Sequence, residues 1–247
     1  MIATIIRKEL SMLFASPLAW ILLTLIQLVL TWVFLGRLDA FLEIQPQLLQ
    51  IENPPGITEI IISPVFAMAA IVLLMVTPLL SMRLLAEERR NHTLTLLISA
   101  PVSMTDIVLG KFLGLMIFYS VVIGLIVTLC ISLLLGGTLD FGLLMSNTLG
   151  LFLVAACFSA LGLYVSSLTA QPVIAAIGAL GVLLGLWMID LAASEMDGWL
   201  HYFSLLKHFG HFNQGLIDTL SIAFFVLFMV TFLVLTIRRL DGERLHG

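Results

Sequence analysis

Long apolar runs, separated by short charged segments, dominate the chain. A helix needs about 20 apolar residues to cross a hydrocarbon core of about 30 Å. The intervals between charged residues predict spans at 17–35, 62–82, 106–135, 142–167, 172–190 and 219–238. This pattern predicts an all-α polytopic membrane protein with six transmembrane helices in a single domain, 1–247.

The interval between Asp140 and Asp190 contains no charged residue. One helix over this interval would exceed the bilayer about twofold, so two spans are expected. The polar run from Ser167 to Pro172 supplies the break, because polar side chains cap helices and proline favours the first helical position.

The first residues of the chain predict an amphipathic helix at about 2–14. Apolar residues recur there at helical spacing and are interrupted by Arg7, Lys8 and Glu9. The charge-free interval from Leu10 to Gly36 exceeds the roughly 7–15 apolar residues of a signal peptide, so we expect an uncleaved first span.

The basic residues predict the orientation in the membrane. Lysine and arginine in short loops favour the cytoplasmic side. With a cytoplasmic N-terminus, only Arg37 and Lys207 fall outside. The inner segments then hold Arg7, Lys8, Arg83, Arg89, Arg90, Lys111, Arg238, Arg239 and Arg244. We therefore expect a multi-pass protein of the bacterial inner membrane with both termini cytoplasmic.

Composition supports this class and excludes another. The chain is 61% hydrophobic and 11% charged, with a mean hydropathy of +1.17, whereas soluble domains are about 45–50% apolar and about 25% charged. Almost no material remains for a soluble domain, so the lipid bilayer is the expected surrounding. A net charge of -4 without a basic stripe argues against nucleic-acid binding.

The segment Arg83–Lys111 is the most informative one for function. It combines a charge cluster at Glu87, Glu88, Arg89 and Arg90 with an apolar set that includes Leu97, and it stops at Pro101. A short helix that docks a soluble partner fits this pattern, and so does an ordinary solvated loop.

Other candidate sites are weaker. Gly110-Lys111 lacks the preceding glycine of a P-loop, and Lys111 fits a side chain that snorkels at the mouth of the third span. His201, His208 and His211 could hold a metal, but no carboxylate or cysteine has ligand spacing, so no metal site is predicted. The pairs Gly110/Gly114 and Gly181/Gly185 permit close helix contact, either within the subunit or between two copies.

Several ordered patches carry a resemblance to a known family. They are Arg7-Lys8-Glu9-Leu10, Phe14-Ala15-Ser16-Pro17, Glu87-Glu88 with Thr93 and Leu96-Leu97, Pro101-Val102-Ser103, Ile107 to Gly114, and His208-Phe209 with Phe212 and Gly215 to Asp218. Together they resemble the ABC-2 permease family, and within it the gliding-motility type permease subunit.

The resemblance implies a permease subunit of an ATP-driven exporter. It implies an elbow helix with Arg7, Lys8 and Glu9, and a cytoplasmic coupling helix at about 87–99. The implied ATPase-coupling residues are Glu87, Glu88, Arg89, Arg90, Thr93 and Leu97. It also implies a separate ABC ATPase subunit that carries ATP and Mg, no cofactor on this chain, and a second copy or a paralogous permease.

Two other classes of membrane protein are alternatives to a permease. An intramembrane enzyme would need activated polar groups within the bilayer, and the sequence has no HExxH, no GxSxG and no mid-membrane carboxylate pair. No catalytic residue is therefore predicted. A membrane scaffold or a mechanotransmission subunit through which nothing passes remains an open alternative.

Overall fold

A computed structural model describes residues 2–48, 56–93, 103–135, 139–193 and 204–246, and the regular structure in these ranges is helical. The helices are α1 (Ile2–Ala15), α2 (Pro17–Leu48), α3 (Ser63–Arg90), α4 (Met104–Ile131), α5 (Phe141–Leu168), α6 (Pro172–Ala193), α7 (Leu205–Asn213) and α8 (Thr219–His246). A π-helical turn, Thr58–Ile62, leads into α3, and a 3-10 turn, Ser132–Leu135, follows α4.

Local sequence signals explain where these helices begin. Asp140 caps α5, because its Oδ1 accepts hydrogen bonds from the backbone N–H groups of Gly142 (2.8 Å) and Leu143 (3.2 Å). Ser103 and Ser204 cap α4 and α7 in the same way. The helices α2 and α6 each begin at a proline, the residue whose missing N–H is tolerated at a helix start.

The helix α5 occupies the centre of the bundle. It packs closely on α3 and α8, and also contacts α4, α6 and α7. Glycines allow two of these approaches: a Cβ at Gly162 would lie 2.7 Å from Ser81 Cβ on α3, and one at Gly150 would lie 2.6 Å from Phe212 Cβ on α7. Small residues therefore set the spacing of the central helices.

The bundle has two ends that differ in their residues. The α1 end contains α1, the start of α4 and the ends of α3 and α8, which ion pairs bring together. At the α7 end, the hydroxyls of Ser63 and Ser146 donate to the backbone oxygens of Asn213 and Phe212, both at 2.9 Å. The short helix α7 is thus buried against the start of α3 and of α5.

Among the described residues, five helical segments are long and apolar enough to cross a membrane. They are Pro17–Gln47, Thr58–Arg90, Met104–Leu135, Phe141–Leu168 and Thr219–Arg244. The sixth predicted span, 172–190, corresponds to α6, whose described apolar part, Pro172–Met188, is shorter. The all-helical, multi-pass class is confirmed, whereas the count of six stays a prediction.

The predicted coupling segment begins inside α3 and not at a new helix. Glu87 to Arg90 form the last turn of α3, which runs without a break from Ser63. No helix breaker separates the predicted second span, 62–82, from these residues, and Pro78 is accommodated within the helix. The predicted coupling helix, 87–99, therefore does not begin as a separate element, and residues 94–99 lie outside the described residues.

Candidate functional site

The amphipathic N-terminal helix packs directly on α4 at the α1 end. A Cβ at Gly110 would lie 2.7 Å from Ile5 Cγ2, and one at Gly114 would lie 3.0 Å from Glu9 Cβ. The two glycines therefore let α1 approach the α4 backbone closely, as small residues one turn apart allow. Of the two contacts that the sequence left open for this pair, the structure shows the one within the subunit.

This close packing brings a buried lysine against two carboxylates. Lys111 Nζ on α4 donates to Glu9 Oε1 on α1 at 2.8 Å and lies 2.9 Å from Glu88 Oε1 on α3. The side chains of Lys111 and Glu9 are only 1% and 4% exposed. Lys111 does not snorkel outward, because both carboxylates that could pair with it lie inside.

A second lysine completes this ion network. Lys8 Nζ lies 3.1 Å from the same Glu88 Oε1, and its side chain is half-exposed. With two lysines and two glutamates, the network of Lys8, Glu9, Glu88 and Lys111 has no net formal charge. Buried charges persist in proteins only when they are paired and hydrogen-bonded, so this balance explains how the network tolerates burial.

A cavity of about 300 Å³ lies beside the network, between α1 and the last turns of α3. Its apolar wall contains Met12 and Leu13 from α1 and Leu80 and Leu84 from α3. The two helices are thus separated at this level by open space, and the ion pairs of Glu88 bridge them at its edge.

Polar contacts hold the end of α3 to three other elements. Arg83 Nη1 donates to Ser16 Oγ at the α1–α2 junction (2.8 Å). Ser166 Oγ on α5 accepts from the backbone N–H of Ala86 (3.0 Å). Arg89 Nη2 donates to both carboxylate oxygens of Glu243 on α8, at 2.6 and 2.8 Å. These contacts hold the end of α3 to the α1–α2 junction, to α5 and to α8.

The surface of this end is formed by the turn that follows α3. Arg90 and Thr93 are exposed, and Thr93 Oγ1 donates to the backbone oxygen of Glu88 (3.2 Å). His92 has a φ of 57°, the left-handed conformation that ends helices. Glu87 is intermediate in exposure and pairs with Arg83 one turn earlier (2.8 Å).

The sequence-predicted residues occupy several different environments. Lys8, Glu9 and Glu88 come together in the buried network, whereas Arg7 and Arg90 stay exposed. Arg89 pairs with α8, and Leu97 lies outside the described residues. Apart from Leu97, the predicted site residues lie at the α1 end of the bundle.

Sequence reasoning missed three members of the site. Lys111 was interpreted as a snorkelling side chain, and Ser166 and Glu243 were not singled out. The signal for Lys111 was its position between Gly110 and Gly114, because a lysine beside a close helix contact faces protein rather than lipid. Nothing in the local pattern distinguishes Ser166 or Glu243 from other polar residues at helix ends.

The histidines of the α7 end have ordinary packing contacts. His208 Nδ1 lies 3.0 Å from Ser221 Oγ, and its ring stacks on Phe224 with centroids 4.4 Å apart. Within the described ranges, no group of three or more His, Cys, Asp or Glu side chains could hold a metal ion. His201 lies outside those ranges.

A larger groove of about 790 Å³ lies between α2 and α4. Its lining is mostly apolar and includes Trp20, Trp32 and Leu125, with Thr24, Gln27 and Thr31 on the α2 side. Because both walls belong to candidate spans, membrane lipid or another membrane segment is the expected neighbour of this groove.

Comparison with known proteins assigns the family. The family described as ABC-2 family transporter protein matches residues 3–242, nearly the whole chain. A comparison with curated individual proteins finds no match. The matched residues include the buried ion network and, except for the last two residues of Thr219–Arg244, the candidate spans. The chain is therefore a multi-pass integral membrane protein that belongs to the ABC-2 transporter family, as a transmembrane permease.

Proposed function

We propose that this chain is the permease subunit of an ATP-driven exporter and that a separate ABC ATPase docks at its α1 end. Permeases of this family normally work with an ABC ATPase partner. The gliding-motility type is the proposed subfamily, on the motif resemblance given above. ATP and Mg belong to the ATPase in this proposal, and this chain contributes the path through the membrane.

The observation that carries the proposal is the construction of the α1 end. The last turn of α3 is fixed from inside by Glu88 and Arg89, while Arg90 and Thr93 remain exposed beside it. A rigid support under a charged surface suits a site that receives force from a soluble partner. We define the docking surface as Glu87, Arg90 and Thr93, whereas residues 94–99 of the predicted coupling segment lie outside the described residues.

This assignment refines the roles of the predicted coupling residues. Glu88 and Arg89 serve as internal supports, because their charged groups are engaged by Lys111 and Glu243. Arg7 flanks the surface on α1, where it is exposed. Charge changes at Glu87 and Arg90 therefore test docking of the ATPase. Changes at Glu88 test the internal support of the docking surface.

The first experiment measures ATPase docking. Replacing Glu87 by Lys and Arg90 by Glu inverts two charges on the docking surface, and like-charge contacts with a complementary partner weaken association. We expect the double variant to recover about tenfold less ATPase in a detergent pull-down, which corresponds to about 1.4 kcal/mol. The inserted yield should match the unsubstituted chain, because the exchange keeps the number of basic residues at the end of this candidate span.

Asp241→Asn is the matched control, since Asp241 is an exposed carboxylate at the same end of the bundle. It should recover ATPase at the normal level. Equal recovery by the charge-inverted variant would assign the docking surface elsewhere. Failure of the unsubstituted chain to recover any ATPase would favour the alternative function, a membrane scaffold or mechanotransmission subunit.

The proposal includes an orientation, with the α1 end and both termini cytoplasmic. It is supported by the basic residues Arg83, Arg89 and Arg90, which cluster at this end, because such residues favour the cytoplasmic side. It also requires α6 to act as the sixth span, so that both termini face the same side. A second permease copy or a paralogue completes the proposed transporter.

Cysteine labelling tests this orientation. Arg90→Cys should react with a membrane-impermeant maleimide only in inside-out vesicles, and Arg37→Cys only in intact cells or spheroplasts. Both residues are exposed, and the native Cys130 and Cys157 are buried, so background reaction should be small. Labelling of Arg90→Cys from the periplasmic side would reverse the orientation.

A further inference from the structure

The α1 end is built from two parts that pack differently. The helices α1 and α4 contact one another closely through Gly110 and Gly114 and form one unit. The last turns of α3 belong to a second unit with α5, into which Ser166 fixes them. Direct packing between α3 and α4 is sparse, and the cavity of about 300 Å³ separates α3 from α1.

The two units also meet where α4 packs on α5 and where Tyr119 Oη on α4 donates to Thr77 Oγ1 on α3 at 2.8 Å. At the last turn of α3, Glu88 reaches both α1 and α4 through a single oxygen atom. Its Oε1 lies 2.9 Å from Lys111 Nζ on α4 and 3.1 Å from Lys8 Nζ on α1. Its Oε2 is buried and has no hydrogen-bond partner among the described residues. The two lysine contacts of Oε1 therefore constitute the hydrogen bonding of this carboxylate.

We propose that Glu88 is an electrostatic latch that couples the end of α3 to the α1–α4 unit. Movement imposed on the last turn of α3 is transmitted to α1 and α4 through the attraction of Glu88 for Lys8 and Lys111. Packing gives a less direct route at this level, because the cavity lies between α1 and the last turns of α3 and direct packing between α3 and α4 is sparse. The source of that movement, a docked ATPase, rests on the function proposed above.

The variant Glu88→Gln removes the proposed latch but is expected to keep the fold of the chain. In Glu88→Gln, Lys111 remains paired with Glu9 at 2.8 Å, and the half-exposed Lys8 can turn to water. No buried charge is left without a partner, so the variant is expected to fold and insert. A Gln side chain also keeps the size of Glu, which leaves the cavity unchanged.

The first test uses the permease alone in lipid nanodiscs. Spin labels at Arg7→Cys on α1 and Arg90→Cys on α3, with Cys130 and Cys157 replaced by Ala, report the distance between the two units. We expect a narrow distance distribution with Glu88 present and a clearly broader one in Glu88→Gln. The matched control, Glu87→Gln, removes the neighbouring carboxylate, whose ion pair with Arg83 lies within α3, and should keep the narrow distribution. Equal widths for Glu88→Gln and the unsubstituted chain would overturn the latch.

The second test uses the complex with the copurified ATPase. Glu88→Gln should recover ATPase at the normal level, while the ATP hydrolysis rate that depends on the permease falls about fivefold or more, as loss of a coupling free energy predicts. Asp241→Asn should leave that rate unchanged. A normal rate in Glu88→Gln would overturn the latch. If the unsubstituted chain recovers no ATPase, the proposed function fails, and the distance measurement alone decides the latch.

Discussion

Lys111→Met is expected to lower the free energy of unfolding by about 3–5 kcal/mol, because breaking a buried ion pair leaves an uncompensated charge. Lys111 is 1% exposed and is the ion-pair partner of the buried Glu9. Methionine fills the space of the lysine stem but donates no hydrogen bond, so the Glu9 carboxylate loses its counterion. Reversible chemical unfolding in mixed micelles, followed by circular dichroism, measures the change.

The control removes both charges of this pair. In Glu9→Gln/Lys111→Met no buried carboxylate of α1 is left without a counterion, and Glu88 keeps its contact with Lys8. Most of the lost stability should return, since neutral replacement of a buried ion pair is often nearly neutral. A double variant as unstable as the single one would show that lost packing of the lysine stem, rather than unpaired charge, causes the effect.

Gly162→Ala is expected to destabilise the chain by about 1–3 kcal/mol through overpacking. Gly162 lies on α5, where α5 meets α3, and an added Cβ would lie 2.7 Å from Ser81 Cβ. Both helices are held at this level, because Ser166 is fixed to the α3 backbone at 3.0 Å. The midpoint of thermal unfolding in detergent should fall accordingly.

Gly124→Ala provides the matched comparison on α4. No heavy atom lies within 4 Å of a Cβ built at Gly124, and alanine in a helix is favoured over glycine by roughly 0.5–1 kcal/mol. This variant should be as stable as the unsubstituted chain or slightly more stable. If Gly162→Ala were as stable as Gly124→Ala, the α3–α5 spacing could adjust to the added methyl group, and overpacking at Gly162 would be contradicted.

The class and the family of this protein follow from its amino-acid sequence alone. Apolar runs longer than a bilayer crossing leave only helices as a solution, since backbone groups in lipid must bond within their own segment. The helix starts at Pro17, Asp140 and Pro172 carry local signals, because caps and prolines act over a few residues. The motif order along the chain indicated the ABC-2 resemblance that the family match confirmed.

Which charged residues face inward depends instead on how the helices pack together. Glu87 and Glu88 are neighbours in a charge cluster, yet only Glu88 reaches Lys111, because α1 and α4 meet on that side of α3. Lys111 and Glu9 are 102 residues apart, and no local pattern indicates that they pair. Gly110/Gly114 and Gly181/Gly185 have the same spacing, but only the first pair has a helix packed against it within the described chain. Long-range packing determines the burial of a charge, and burial determines whether it supports the fold or meets a partner.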